Sequence, residues 1–106
     1  MVFMTLRLTV RPEMTAHVIN IVKSLMGPVS AEPDCHHFGF YSDITNDDKL
    51  MLFVEWASQE ALNDHIQSDD FRKLLEAVEM SELTPEIKFI TVSHIAGIEL
   101  IKKLRG

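Results

Sequence analysis

The chain has 106 residues, 46% hydrophobic and 25% charged, which is enough for one hydrophobic core, too little for two, and unlike the apolar-poor profile of a disordered chain. A formal net charge of -6 argues against a phosphate-backbone binder, which needs clustered lysine and arginine to release counterions, so no nucleic-acid partner is expected. The lone cysteine, Cys35, cannot close an internal disulfide, the start Met1-Val2-Phe3-Met4 lacks a signal-peptide pattern, and no apolar run is long enough to span a membrane, so the expected setting is a reducing cytoplasm.

Val2 to Val10 sets Val2, Met4, Leu6, Leu8 and Val10 against Phe3, Thr5, Arg7 and Thr9, the period of two that marks a strand. Pro12 stands where a first helical turn has no use for an N–H, and Glu13 complements the positive end of the helix dipole. The helix so predicted carries Met14, Val18, Ile21, Val22 and Leu25 as one apolar stripe and is expected to end at Gly27-Pro28. Val29 to Asp34 reads as a loop. A second strand follows, in which His36, Phe38, Phe40, Ser42 and Ile44 alternate with Cys35, His37, Gly39, Tyr41 and Asp43. Asn46-Asp47-Asp48 reads as a polar turn, so Lys49 to Trp56 returns as the other arm of a hairpin with Leu50, Leu52, Val54 and Trp56 on one face. Ser58 and Ser68 are N-cap residues of two consecutive helical pieces, the first with Ala61, Leu62, His65 and Ile66 on its apolar side, the second with Phe71, Leu74, Leu75 and Val78. After Thr84-Pro85, Ile87 to Ile95 alternates as the last strand, and Gly97 to Gly106 reads as a further strand or a short helix lying on a partner chain.

Strand, helix, strand, strand, helix, strand is the split βαβ order of an α+β, ferredoxin-like fold: a four-stranded antiparallel sheet with helices on one face, in a single domain spanning 1–106. Phe3, Met51, Phe53, Ile90 and Val92 put apolar groups on the second face as well. A homodimer that covers that face, closing a dimeric α/β barrel, is the expected remedy.

Glu55-Trp56-Ala57-Ser58-Gln59-Glu60-Ala61-Leu62, then His65-Ile66-Gln67-Ser68 and Phe71, resembles the antibiotic biosynthesis monooxygenase superfamily. Leu8-Thr9-Val10-Arg11-Pro12-Glu13, the Glu32-Pro33-Asp34-Cys35 loop and Pro85-Glu86 extend the resemblance over nearly the whole chain. Where relatives usually carry glycine, Asp34 stands here, a residue that tolerates a left-handed backbone better than most. Cys35-His36 and the Trp56, His65, Gln67 spacing are most similar to the quinol monooxygenase type. That resemblance implies an enzyme without metal or flavin, in which a small aromatic phenol or quinol loses a proton and its anion reduces molecular oxygen directly. The protein would supply an apolar pocket between sheet and helices, a base and an oxyanion donor. The haem-degrading branch fits poorly, because Leu6, His65 and Leu75 occupy the positions of its Asn, Trp and His. The polyketide-quinone branch shares Trp56 alone, with Leu52 and Leu62 at its other positions. An isomerase branch has the same fold, so isomerisation of a small carbonyl compound is one alternative and a non-catalytic ligand-binding or stress-response module another.

Each candidate residue has a plain structural reading beside the functional one. His65, on an apolar helix side, is the candidate base, against a core histidine bonded to backbone. Trp56 is a pocket wall or simple core volume. His36 shares parity with Phe38 and Phe40 and is expected to face the helices. Leu52, Leu62, Phe71 and Arg72 are candidate substrate contacts, although for Arg72 a surface pair with an acid such as Glu76 one turn on is the commoner outcome. In a regular strand Cys35 and His37 point one way and His36 the other, so these three neighbours cannot chelate a metal together, and no cofactor motif is present.

Overall fold

In the computed structural model, which describes residues 1–106, the elements run β1 (Val2–Thr9), α1 (Pro12–Ser30), β2 (Cys35–Asp43), β3 (Asn46–Trp56), α2 (Gln59–Ile66), α3 (Asp69–Val78), β4 (Glu86–Thr91) and α4 (Ile98–Arg105). The strands form one antiparallel sheet in the order β2-β3-β1-β4. Val2 faces Trp56, Leu6 faces Leu52 and Leu8 faces Leu50 across β1 and β3, so the predicted apolar parities of both central strands meet on one side. There they pack with Val18, Val22 and Leu25 of α1, Leu62 of α2 and Phe71 and Leu74 of α3 in one core of 18 buried residues. At about 25 cal/mol per Å² of apolar surface removed from water, this sheet-on-helix layer is the dominant stabilising contribution.

Several details depart from the expectation. α1 does not stop at Gly27-Pro28 but runs a further turn to Ser30. Proline's ring normally crowds the Cβ of the preceding residue out of the helical region, and Gly27, which precedes Pro28, has none. Burial of Val29, 1% exposed, then holds the extra turn on the core. The hairpin turn falls at Ile44-Thr45, before Asn46-Asp47-Asp48, because the Asp43 carboxylate accepts the Thr45 N–H at 2.8 Å and Asp43 pairs with Asn46 across the turn. Asp34 does not use a left-handed backbone, since no residue other than Gly106 has positive φ. β4 ends at Thr91 rather than Ile95, and of the two predicted forms of the tail the helix is the one adopted. Ile66 and Leu75, expected on the apolar sides of their helices, are 37% and 40% exposed.

Ser58 and Ser68 cap as predicted, their hydroxyls accepting the N–H groups of Ala61 at 3.1 Å and Phe71 at 3.2 Å. The second sheet face carries Phe3 against Phe53, ring centres 5.0 Å apart, with His37 5.7 Å from Phe53 on the other side. His37 Nε2 and Tyr41 Oη, 3.2 Å apart, arch over Gly39, where a Cβ would strike both. Ile90 on that face is 43% exposed, and every residue of α4 is exposed.

Candidate functional site

Trp56 ends β3 on the helix side of the sheet, and the Ser58 cap starts α2 two residues later, so His65 returns to lie over the indole. The two ring centres are 4.6 Å apart at 32°, and Phe71, at the first turn of α3, meets the imidazole edge-on at 5.5 Å. Trp56 is 1% and His65 4% exposed. Two polar atoms in this apolar stack have no hydrogen-bond partner: Trp56 Nε1 and His65 Nδ1. A buried group of this kind left without a partner costs about 1–3 kcal/mol.

Glu32 is the residue that sequence reasoning missed. Its Oε1 lies 3.9 Å from the buried His65 Nδ1, beyond hydrogen-bond reach. It sits in the predicted loop, quoted there only as part of a family-like string; no periodicity marks it, and its importance comes from where the extra turn of α1 carries it. Burial, with the Asp70 carboxylate adding to it, raises the Glu32 pKa above its ordinary value. Burial lowers that of His65, with Asp70 opposing, so the imidazole is held neutral at physiological pH.

A small cavity of about 140 Å³ opens at this point, lined by Glu32, Pro33, Asp34, Trp56, Ala61 and Asp64. It is not the apolar pocket expected, since three of its six lining residues are carboxylates. A neutral imidazole, an indole N–H donor and a carboxylate of raised pKa beside a ring-sized opening can accept a proton, hold an oxyanion and relay a proton to water.

Of the other predicted site residues, Leu52 and Leu62 are fully buried in the core and do not line the cavity, and Phe71 touches the imidazole. His36 does not face the helices. The ladder slips between Cys35 and His37, so His36 occupies a bulge, 52% exposed, with Nδ1 3.6 Å from Glu55 on the other side of the sheet. The same slip puts Cys35 opposite Trp56 and His37 opposite Glu55, on different faces instead of one. Arg72 points to solvent and pairs with Asp69 and Glu76, each at 3.8 Å, away from the cavity. A larger groove of about 620 Å³ lies at the opposite end of the sheet, between Arg7, Tyr41, Lys49 and Leu83, and holds none of the predicted residues.

The family model for antibiotic biosynthesis monooxygenase matches residues 1–77. An uncharacterised protein of Synechocystis sp. is 30% identical over 67 residues, 63% of this chain and 46% of that protein, so the match spans under half of the curated relative. A conserved protein of Methanosarcina mazei superposes with a TM-score of 0.78 at 27% identity, over 84% of this chain and 89% of its own. A crystal structure described as an antibiotic biosynthesis monooxygenase gives 0.78 at 17% identity, over 89% of this chain and all of its own (100%). A Mycobacterium tuberculosis protein gives 0.80 at 20% identity, over 91% of this chain and 98% of its own. These last two likenesses speak for the fold alone. No helix is long and apolar enough to cross a membrane.

Proposed function

Since the chain belongs to the antibiotic biosynthesis monooxygenase family, we propose that it is a cofactor-independent monooxygenase of a small aromatic phenol or quinol, working as a homodimer at the Trp56–His65–Glu32 site. The observation that carries this reading is the buried imidazole stacked on Trp56, with Nδ1 unpartnered and turned toward a cavity-lining carboxylate. The phenolic proton passes by way of Glu32 to His65 at Nδ1, and the indole N–H of Trp56 is the donor closest to hand for the oxyanion left behind. The electron-rich ring then reduces dioxygen. One oxygen atom becomes a new carbonyl on the ring; the other leaves as water with two hydrogens from the phenol, the ring supplying all four electrons. Glu32 passes the proton between His65 and solvent. The homodimer part is supported by the half-covered apolar face around Phe3, Phe53 and Ile90.

A second reading has one observation in its favour: His65 is 4% exposed and does not itself line the cavity, as it would in a module that binds a ligand without turning it over. Oxygen uptake with a panel of quinols, in protein stripped of metal, separates the two. Consumption of one dioxygen per quinone formed, abolished in His65→Ala and reduced in Glu32→Gln, is the expected result. Saturable binding with no oxygen uptake by any panel member would leave the binding module in place of the enzyme.

A further inference from the structure

The charge around the cavity is of one sign. Glu32, Asp34 and Asp64 ring the cavity, and its wall holds no lysine, arginine or histidine. Asp70 adds a fourth negative charge close enough to act on both Glu32 and His65. Arg72 on α3 is engaged by Asp69 and Glu76 on the solvent side. Carboxylates alone make no binding site; here they surround Trp56, whose Nε1 is buried and unpartnered, and one of them faces the unpartnered Nδ1 of His65. Unit charges a few ångströms apart at a partly buried site interact strongly, so three or four like charges around an opening of about 140 Å³ decide which charge can enter.

Resting on the functional reading above, we infer that the substrate is a single-ring phenol that is uncharged or carries a cationic substituent, and that phenols bearing a carboxylate are excluded. The ring stacks toward Trp56 with its hydroxyl at Glu32, the lining residue that faces His65 Nδ1, and a protonated amine on the far side of the ring meets Asp34 and Asp64. A carboxylate in the same place meets them as a like charge, with no cation to offset it. The volume of about 140 Å³ sets the size: a single substituted ring fits, while a fused polycyclic quinone exceeds it.

Trp56 is the only tryptophan in the chain, so quenching of its emission reports binding without requiring turnover. The probes are para-(aminomethyl)phenol, para-(hydroxymethyl)phenol and para-hydroxybenzoate, of nearly equal size and of positive, zero and negative charge at neutral pH. Affinity falling in that order is expected, with at least tenfold between the first and last, compressing toward unity in molar salt as screening takes over. The Asp34→Asn, Asp64→Asn double variant, with unchanged circular dichroism and unchanged Trp56 emission, narrows the gap at low salt. Equal or tighter binding of para-hydroxybenzoate, or a gap that the double variant leaves intact, overturns the inference. A charge series that holds while no probe or quinol consumes oxygen refutes the monooxygenase chemistry and not the selectivity, so the two failures are told apart.

Discussion

Replacing His65 with methionine tests whether the imidazole is there for chemistry or for packing. Methionine has nearly the same volume, fills irregular space and keeps a favourable sulfur contact with aromatic rings, so no cavity opens beside Trp56 and Phe71. The substitution removes the unpartnered Nδ1, whose burial costs about 1–3 kcal/mol. It also removes the aromatic pairing with Trp56 and Phe71, about 0.5–1.5 kcal/mol. The difference favours the variant by about 1 kcal/mol, or a rise in Tm of ~4 °C for a domain of this size. Thermal and urea melts at pH 8 and one fixed protein concentration give the stability, and oxygen uptake gives the activity. A variant more stable and inactive is the pattern of a functional residue held at a cost to the fold. Destabilisation beyond about 2 kcal/mol would refute the reasoning, because it would mean that the imidazole is satisfied in the core and that its role is structural.

Stability should depend on pH through the same two groups, with opposite signs. His65, lowered by burial from its ordinary 6.5, binds its proton less readily folded than unfolded, so its stabilising contribution is complete above 6.5 and drains as pH falls below it toward the folded-state value. Glu32 is raised above its ordinary 4.5, so in the window just above 4.5 the folded chain keeps a proton that the unfolded chain has released, and stability falls as pH rises through it. Urea midpoints across pH 4 to 8 check both, since His65→Met flattens the first slope and Glu32→Gln the second; slopes unchanged by either variant would refute the assignment. For the homodimer, light scattering behind size exclusion should give twice the chain mass, and Ile90→Asp, at a position 43% exposed on the second sheet face, should shift it toward monomer. A native chain that elutes as a monomer would refute the homodimer, and an Ile90→Asp chain still fully dimeric would place the interface elsewhere.

The fold was largely legible because its signals are local and repeated. Val2, Met4, Leu6 and Leu8 alternate against Leu50, Leu52, Val54 and Trp56, and one parity of each strand is buried throughout. The capping serines are as plain, since a hydroxyl before a helix has one favourable use. His65 and Trp56 were legible as neighbours, through their apolar sides and their family spacing; Leu62, expected as a substrate contact, is fully buried in the core. His36 was not. Parity arguments assume an unbroken ladder, and one extra residue between Cys35 and His37 turns the side chain to the other side, an event that no local property of Cys35-His36-His37 announces. Arg72 was open to two readings, and its neighbours at both i-3 and i+4 are acidic, so the surface pairs won.

Glu32 escaped for a reason that ties the backbone to the site. With α1 ended at Gly27, residues 29–34 would be a free loop and no side chain in it could be placed. Because Gly27 lets Pro28 stay helical, Val29 reaches the core and fixes the segment beyond it: Glu32 N–H donates to Val29 O at 3.1 Å, Cys35 N–H to Glu32 O at 3.0 Å, and Ala57 N–H, next to Trp56, to Asp34 O at 2.9 Å. The acidic segment is thereby stapled at one end to α1 and at the other to the exit of β3. Its carboxylates stand over the indole not by attraction to it, which would be weak, but because backbone hydrogen bonds leave them nowhere else to go. A site built in this way can hold like charges together around a neutral imidazole, since the energy that opposes their gathering is met by a glycine, a buried valine and three peptide hydrogen bonds outside the cavity.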